Sequence, residues 1–150
     1  MIGLLQRVSE GQVDIGGETV AAIGEGLVVL IGVECGDEAP QADRLAERLL
    51  NYRVFSDEQG RMNLNVRQIG GAILLVPQFT LAADTERGNR PGFSRAADPA
   101  IGEVLFDQLV AAIRKTGITT ATGRFGADMQ VRLCNNGPVT FTLRVEPGTK

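Results

Sequence analysis

The side chains of this chain that could do chemistry are few, and one absence governs them: none of the 150 residues is histidine. There can be no Ser-His or Cys-His dyad and no histidine zinc site. Any general acid or base must be a carboxylate, a lysine, a tyrosine or the substrate itself. The two cysteines, Cys35 and Cys134, stand too far apart for a CxxC pair and are too few for a disulfide framework, so both read as structural thiols. Gln78, Phe79 and Thr80 follow an apolar run, where a strand end would present them. The Thr80 hydroxyl without an adjacent base is a poor nucleophile, and a threonine that orders its surroundings is the better reading.

Two further stretches invite a functional reading. In "LCNNGPVTFTL", residues 133–143, a strand pattern is interrupted by Gly137-Pro138. Proline donates no ladder hydrogen bond and glycine weakens a strand, so the pair does not suit a central strand; alone, it reads as an edge-strand turn or bulge. In "DTERGNRPGFSRAADP", residues 84–99, Arg87, Arg90 and Arg95 cluster, and the loop they belong to, 82–98, is long enough to suspect function. Their planar guanidinium groups could grip phosphates in pairs of hydrogen bonds, or simply be a solvated surface.

These residues need elements to hold them. "IGLLQRVSEGQVDIGGETVAAIG" predicts a hairpin turning at Gly16-Gly17, and "GLVVLIGV" a buried strand. "PQADRLAERLLNYRVF" predicts a first helix, with Pro40 near its start and Leu45, Leu49 and Leu50 at helical spacing. "FSDEQGRMNLNV" reads as a turn between short strands, and "GGAILLVPQFTL" as a second buried strand leading into Gln78. "DPAIGEVLFDQLVAAIRKTG" predicts a second helix that opens at Asp98-Pro99, repeats Ile101, Leu105, Leu109 and Ile113, and closes at Gly117. "MQVRLCNNGPVTFTLRV" gives one or two final strands. The prediction is a single α/β domain over 1–150, a mixed β-sheet sandwich with two main helices.

Composition is that of a globular protein, with 43% hydrophobic and 22% charged residues. A net charge of −3 argues against a broadly basic surface, although thirteen of the fifteen cationic residues are arginine. The longest apolar run, Leu27 to Ile31, is too short to span a bilayer, and Gln6 and Arg7 cut any signal-peptide core, so a cytoplasmic location is predicted.

The segments "QRV" near the start, "NYRVFSDEQGRMNLNV", "PQFTLAADT", "RPGFS", "FGADMQV" and "NNGPVT" together resemble the D-aminoacyl-tRNA deacylases, in order and from Met1 to about Val145. The resemblance implies a homodimer with active sites at the subunit interface. Each would hydrolyse the ester between a D-amino acid, or glycine mischarged on tRNA(Ala), and the 3′ end of tRNA. No cofactor or metal is implied, and neither a membrane nor DNA is a predicted partner. It also implies catalysis assisted by the terminal 2′-hydroxyl of the tRNA, with backbone amides near Phe79 and Thr80 facing the scissile carbonyl. An already activated ester needs mainly positioning and oxyanion stabilisation, which suits a histidine-free chain.

By the same resemblance the Gly137-Pro138 bond is cis and sits against the partner's active site. There its main-chain carbonyls take the substrate's α-ammonium and occupy the volume an L side chain would need. Arg7 is implied as support for that segment, or is a surface arginine of the first strand. Gln78 would orient the adenosine or the loop, Phe79 would contact the terminal adenine, and Met129 would pack near the pocket; core or strand-end roles are the alternatives. Arg87, Arg90 and Arg95 are the candidates for tRNA contact. One position departs from the pattern: the family usually has serine where this chain has Pro77, and Pro-Gln opens the motif of a sister family that removes L-alanine from tRNA for threonine. Phe79 and "NNGPVT" followed by Phe141 keep the D-specific pattern. A non-catalytic dimeric RNA-binding module is a further alternative, against which the retained Gln78, Thr80 and Gly137-Pro138 argue.

Overall fold

The computed structural model describes residues 1–148, so the domain end placed at 150 lies two residues outside it. Strand β1 (Ile2–Ile15) turns into β2 (Glu18–Ile23) through Gly16 and Gly17, whose φ angles of 59° and 83° are those of a two-residue hairpin turn, as predicted. Strand β3 (Gly26–Gly32) pairs antiparallel with β1 and parallel with β6 (Ala72–Pro77), which pairs parallel with β7 (Thr119–Thr122). The last strand, β8 (Gln130–Arg144), pairs with β1, and a hairpin of β4 (Phe55–Ser56) and β5 (Met62–Leu64) stands apart.

Parallel neighbours need long crossovers, and the two helices supply them. Helix α1 (Ala39–Asn51) begins in a capping box between Glu38 and Gln41 and buries Leu45, Leu49 and Leu50. It ends before the predicted stretch does: Tyr52 turns extended at ψ 126°, which carries Val54 and Phe55 into the core. Helix α2 (Pro99–Arg114) is capped by Asp98, whose carboxylate accepts from the Ala100 amide at 3.0 Å. Its buried face is Gly102, Leu105, Phe106, Leu109, Val110 and Ile113, whereas Ile101 is 53% exposed. Steps of four residues drift about 40° per step on a 3.6-residue helix, so Ile101 stands roughly 120° round from Ile113 and leaves the core stripe.

The alternation of β3 and β6 sorts side chains into two apolar layers. Leu27, Val29, Ile31, Ile73 and Leu75 pack against the helices, while Val28, Leu74 and Val76 join Val8 and Val13 inside the curl of the sheet. Buried on both faces, these strands read as continuous apolar runs. The Met1 ammonium is fully buried and donates to Asp37 Oδ1 at 2.8 Å and to the Val145 carbonyl at 2.7 Å, tying the start of β1 to the end of β8. Among the described residues no helix is long and apolar enough to cross a membrane.

The final segment is one strand, not two, and it runs through Gly137-Pro138. This is possible because, among the described residues, β8 is an edge strand paired with β1 alone. Gln6 faces Thr140 and Val8 faces Asn135, so the four residues between Asn135 and Thr140 bow out opposite Arg7 alone. Within that excursion the Gly137-Pro138 peptide bond is cis.

Candidate active site

Strands β3 and β6 end side by side, Ile31 opposite Pro77, and the crossover to α2 leaves there. Ligand sites of parallel sheets form at such carboxyl ends. Here a cleft of about 450 Å³ lies between the strand ends, the start of α2 and the segment from Phe125 to Met129. It is lined by Pro77, Gln78 and Phe79 from one side and by Gly126, Asp128 and Met129 from the other, with Phe106 and Phe125 among the apolar residues. Two glycines shape it. A Cβ on Gly102 would stand 3.3 Å from the Phe125 ring, and one on Gly123 would stand 2.7 Å from Met129 Sδ, so both aromatic and thioether groups settle into space a side chain would take.

Pro77 fits its position without loss. The Gln78 amide donates to the Ile31 carbonyl at 2.7 Å, which turns the Pro77 nitrogen to the β7 side, where the ladder has ended at Leu75 and Thr122. No donor is missing there. After Pro77 the chain tightens into a 3-10 turn over Phe79–Ala82, so the predicted strand stops short of Phe79. Leu81 donates to the Gln78 carbonyl and Ala83 to the Thr80 carbonyl, whereas the amides of Phe79 and Thr80 have no partner among the described residues. Open amides at the head of a helical turn are donors ready for an anionic oxygen. The Gln78 side chain donates from Nε2 to Thr80 Oγ1, which fixes both residues.

The Phe79 ring is 58% exposed and is no core residue; it packs against Phe93 of the following loop at 5.2 Å between centroids. That loop is pinned by Asp84 and Gly92, which exchange backbone hydrogen bonds at 2.7 and 2.9 Å, and by the Cys35 amide donating to the Arg95 carbonyl at 2.8 Å. Arg95 itself is committed: its guanidinium lies 3.2 Å from Glu86 and 3.8 Å from Asp84, and the hydrogen bond to Glu86, with the Asp84 charge next, holds it further into the charged form. Arg87 and Arg90 are exposed and make no ion pair among the described residues. Both cysteines are free and exposed; the Cys35 thiol donates to the carbonyls of Ser94 and Ala96.

Arg7, Gly137 and Pro138 form a second group that does not line the cleft. Arg7 donates from Nε to the Asn136 carbonyl at 2.9 Å and from Nη1 to the Val54 carbonyl at 2.8 Å. Gly137 has φ 143°, and a Cβ there would stand 2.7 Å from Val139 Cγ2, 2.9 Å from the Val139 nitrogen and 3.2 Å from Arg7 Nη2. Gly137 and Pro138 are exposed residues, with no ladder partner opposite them on β1. The structure therefore joins Gln78, Phe79, Thr80 and Met129 in one place and Arg7, Gly137 and Pro138 in another. Sequence reasoning missed Phe106, Gly123 and Asp128; the segment "FGADMQV" contains Asp128 and Phe125, but only Met129 stood out from it.

Comparison with known proteins places this arrangement. The chain is 60% identical to the D-aminoacyl-tRNA deacylase of Sodalis glossinidius (strain morsitans), across 97% of this chain and all of the relative. It is 55% identical to that of Nitrosococcus oceani, across 100% of this chain and 97% of the relative. Among solved structures it is similar to the c-Myc DNA unwinding element binding protein, at 36% identity and a TM-score of 0.92, covering 97% of this chain and 99% of that one. A probable eukaryotic D-amino acid tRNA deacylase shares the fold at 17% identity and a TM-score of 0.82. The family described as D-Tyr-tRNA(Tyr) deacylase matches residues 4–144, and with that match and these relatives the chain belongs to this family.

Proposed function

We propose that this protein is a D-aminoacyl-tRNA deacylase that hydrolyses the ester between a D-amino acid, or glycine carried by tRNA(Ala), and the tRNA 3′ end. The observation that carries the chemistry is the pair of unpartnered amides at Phe79 and Thr80, at the edge of a cleft large enough for a nucleoside. They would receive the oxygen of the scissile carbonyl as it gains negative charge. The terminal 2′-hydroxyl of the tRNA assists the attack. Among the described residues Asp128 is the only ionisable one of the lining, and it is exposed, while Thr80 Oγ1 is met by Gln78. Gln78 orients Thr80 and the turn, and Phe79, Phe125 and Met129 offer apolar surface to the adenine.

Selection of hand falls to backbone. The Gly137 and Pro138 carbonyls would accept the substrate's α-ammonium and fill the volume of an L side chain; glycine, without a side chain, would pass. Within one chain this group does not line the cleft, so the reading requires a second copy to deliver it. The free edge of β8 offers a twofold route for such a dimer, with the partner's segment entering the cleft. Arg87 and Arg90 are the cations available to the acceptor stem; Arg95 is engaged by its own loop.

The test is release of amino acid from tRNA charged with D-tyrosine, L-tyrosine or glycine. Purified protein should release D-tyrosine and glycine and leave L-tyrosine attached. Equal rates on the two enantiomers would remove the chiral-selection argument, and release of L-alanine from tRNA for threonine in place of D-tyrosine would favour the sister activity that Pro77 suggests.

A further inference from the structure

The four residues that bow out between Asn135 and Thr140 have no ladder bonds of their own, so their shape depends on what grips their ends. On one flank Arg7 holds the Asn136 carbonyl. On the other, a single side chain bridges the base of the excursion: Asn135 Oδ1 accepts from the Val139 amide at 2.9 Å, and Asn135 Nδ2 donates to Thr140 Oγ1 at 2.8 Å. The orientation of that amide group is fixed by chemistry, because a backbone N–H can be met only by the oxygen. Gln6 Nε2 approaches Thr140 Oγ1 from β1 at 3.5 Å. Val139 is buried in the main core, which anchors the returning end.

We infer that Asn135 and Thr140 are positioning residues for chiral selection: they clasp the excursion by its neck and hold the Gly137 and Pro138 carbonyls, which none of these ties uses, at a fixed place. A recogniser made of backbone discriminates only as well as it resists displacement, and an edge-strand loop of four residues would otherwise yield to a bulkier substrate. The assignment rests on the deacylase reading above. It adds that selectivity is set by a side-chain clasp at the neck of the excursion, not by the backbone recogniser alone.

Three variants test it. Asn135→Leu keeps the size and removes both bonds; Thr140→Val removes one; Asn135→Asp keeps an acceptor for Val139 and lets the Thr140 hydroxyl donate instead. The readouts are the ratio of D- to L-tyrosyl-tRNA deacylation and protection of the Val139 amide from hydrogen exchange. Asn135→Leu should lower the D/L ratio about tenfold or more, as loss of a net hydrogen bond or two allows, with Val139 protection lost. Thr140→Val should fall between, and Asn135→Asp should stay within about twofold of the parent ratio. If Asn135→Leu lowers both rates equally and leaves the ratio intact, the clasp is only structural and the inference is overturned. Parent protein that releases no D-tyrosine would instead overturn the deacylase reading on which it rests.

Discussion

Arg7 on β1 donates from Nε to the main-chain carbonyl of Asn136 at 2.9 Å, across the gap where β1 and β8 lose their register. The same guanidinium holds the Val54 carbonyl at 2.8 Å, so one planar fork connects the extended segment between α1 and β4 to the excursion that carries Gly137. A lysine would keep the charge but has a single point to offer and cannot reach both acceptors in fixed directions. Arg7→Lys should therefore lower the D/L ratio about tenfold while the melting midpoint moves by only a few degrees. An unchanged ratio would make Arg7 a surface residue that happens to find two carbonyls.

A substitution at Gly137 meets a crowded site at a backbone angle that L residues seldom adopt. Gly137→Ala should distort the exposed excursion and abolish activity without unfolding the core, because neither Gly137 nor Pro138 is buried. Gln78→Trp should abolish activity separately by filling the cleft. If the two groups meet across a dimer, mixing the two inactive proteins restores one intact site in each mixed dimer. After random exchange about a quarter of all sites should work. Verified subunit exchange with no recovered activity would place both groups in the same subunit's site.

Among the described residues the Thr80 hydroxyl has one side-chain hydrogen-bond partner, the Gln78 amide, which is no base. Thr80→Ala should cost about tenfold or less, against the roughly 10⁴-fold or greater losses for nucleophiles of catalytic triads. Asp128→Asn should be comparably mild. Transfer RNA ending in 2′-deoxyadenosine, charged through its 3′-hydroxyl, should be a very poor substrate. A dead Thr80→Ala together with normal cleavage of the deoxy substrate would point to a threonine nucleophile.

Asp14 joins three strands. It accepts from the Thr19 hydroxyl on β2 at 2.6 Å and from Gln12 on β1, and it pairs with Arg132 on β8 at 3.2 Å. The Thr19 hydrogen bond first, then Gln12 and Arg132, outweigh desolvation and hold its carboxyl below the usual range. A carboxyl depressed in the folded state contributes stability that is present above its unfolded pKa and is lost as pH falls through the folded one. Asp14→Ala should thus lower the melting midpoint at neutral pH, and the gap to the parent should narrow as pH drops below the ordinary carboxylate range. A gap independent of pH would assign the whole effect to lost packing.

Order along the chain was readable from sequence wherever local chemistry decided it. Gly16-Gly17 specified a two-residue hairpin because both positions need positive φ, Asp98-Pro99 marked a helix start, and unbroken apolar runs marked strands buried on both faces. The motif segments were enough to name the family, since six of them fall in order over nearly the whole chain. What the residues do to one another was a matter of tertiary structure. Ile101 repeats with the core residues in sequence yet faces outward, because a four-residue step drifts around the helix. Gly137-Pro138 forbids a central strand but not an edge one, and only the sheet order reveals that β8 has a free edge and can bow out opposite Arg7. Arg7 and Asn136 are 129 residues apart and Met1 and Val145 are 144 apart, and no local pattern encodes contacts closed by the folding of a sheet upon itself.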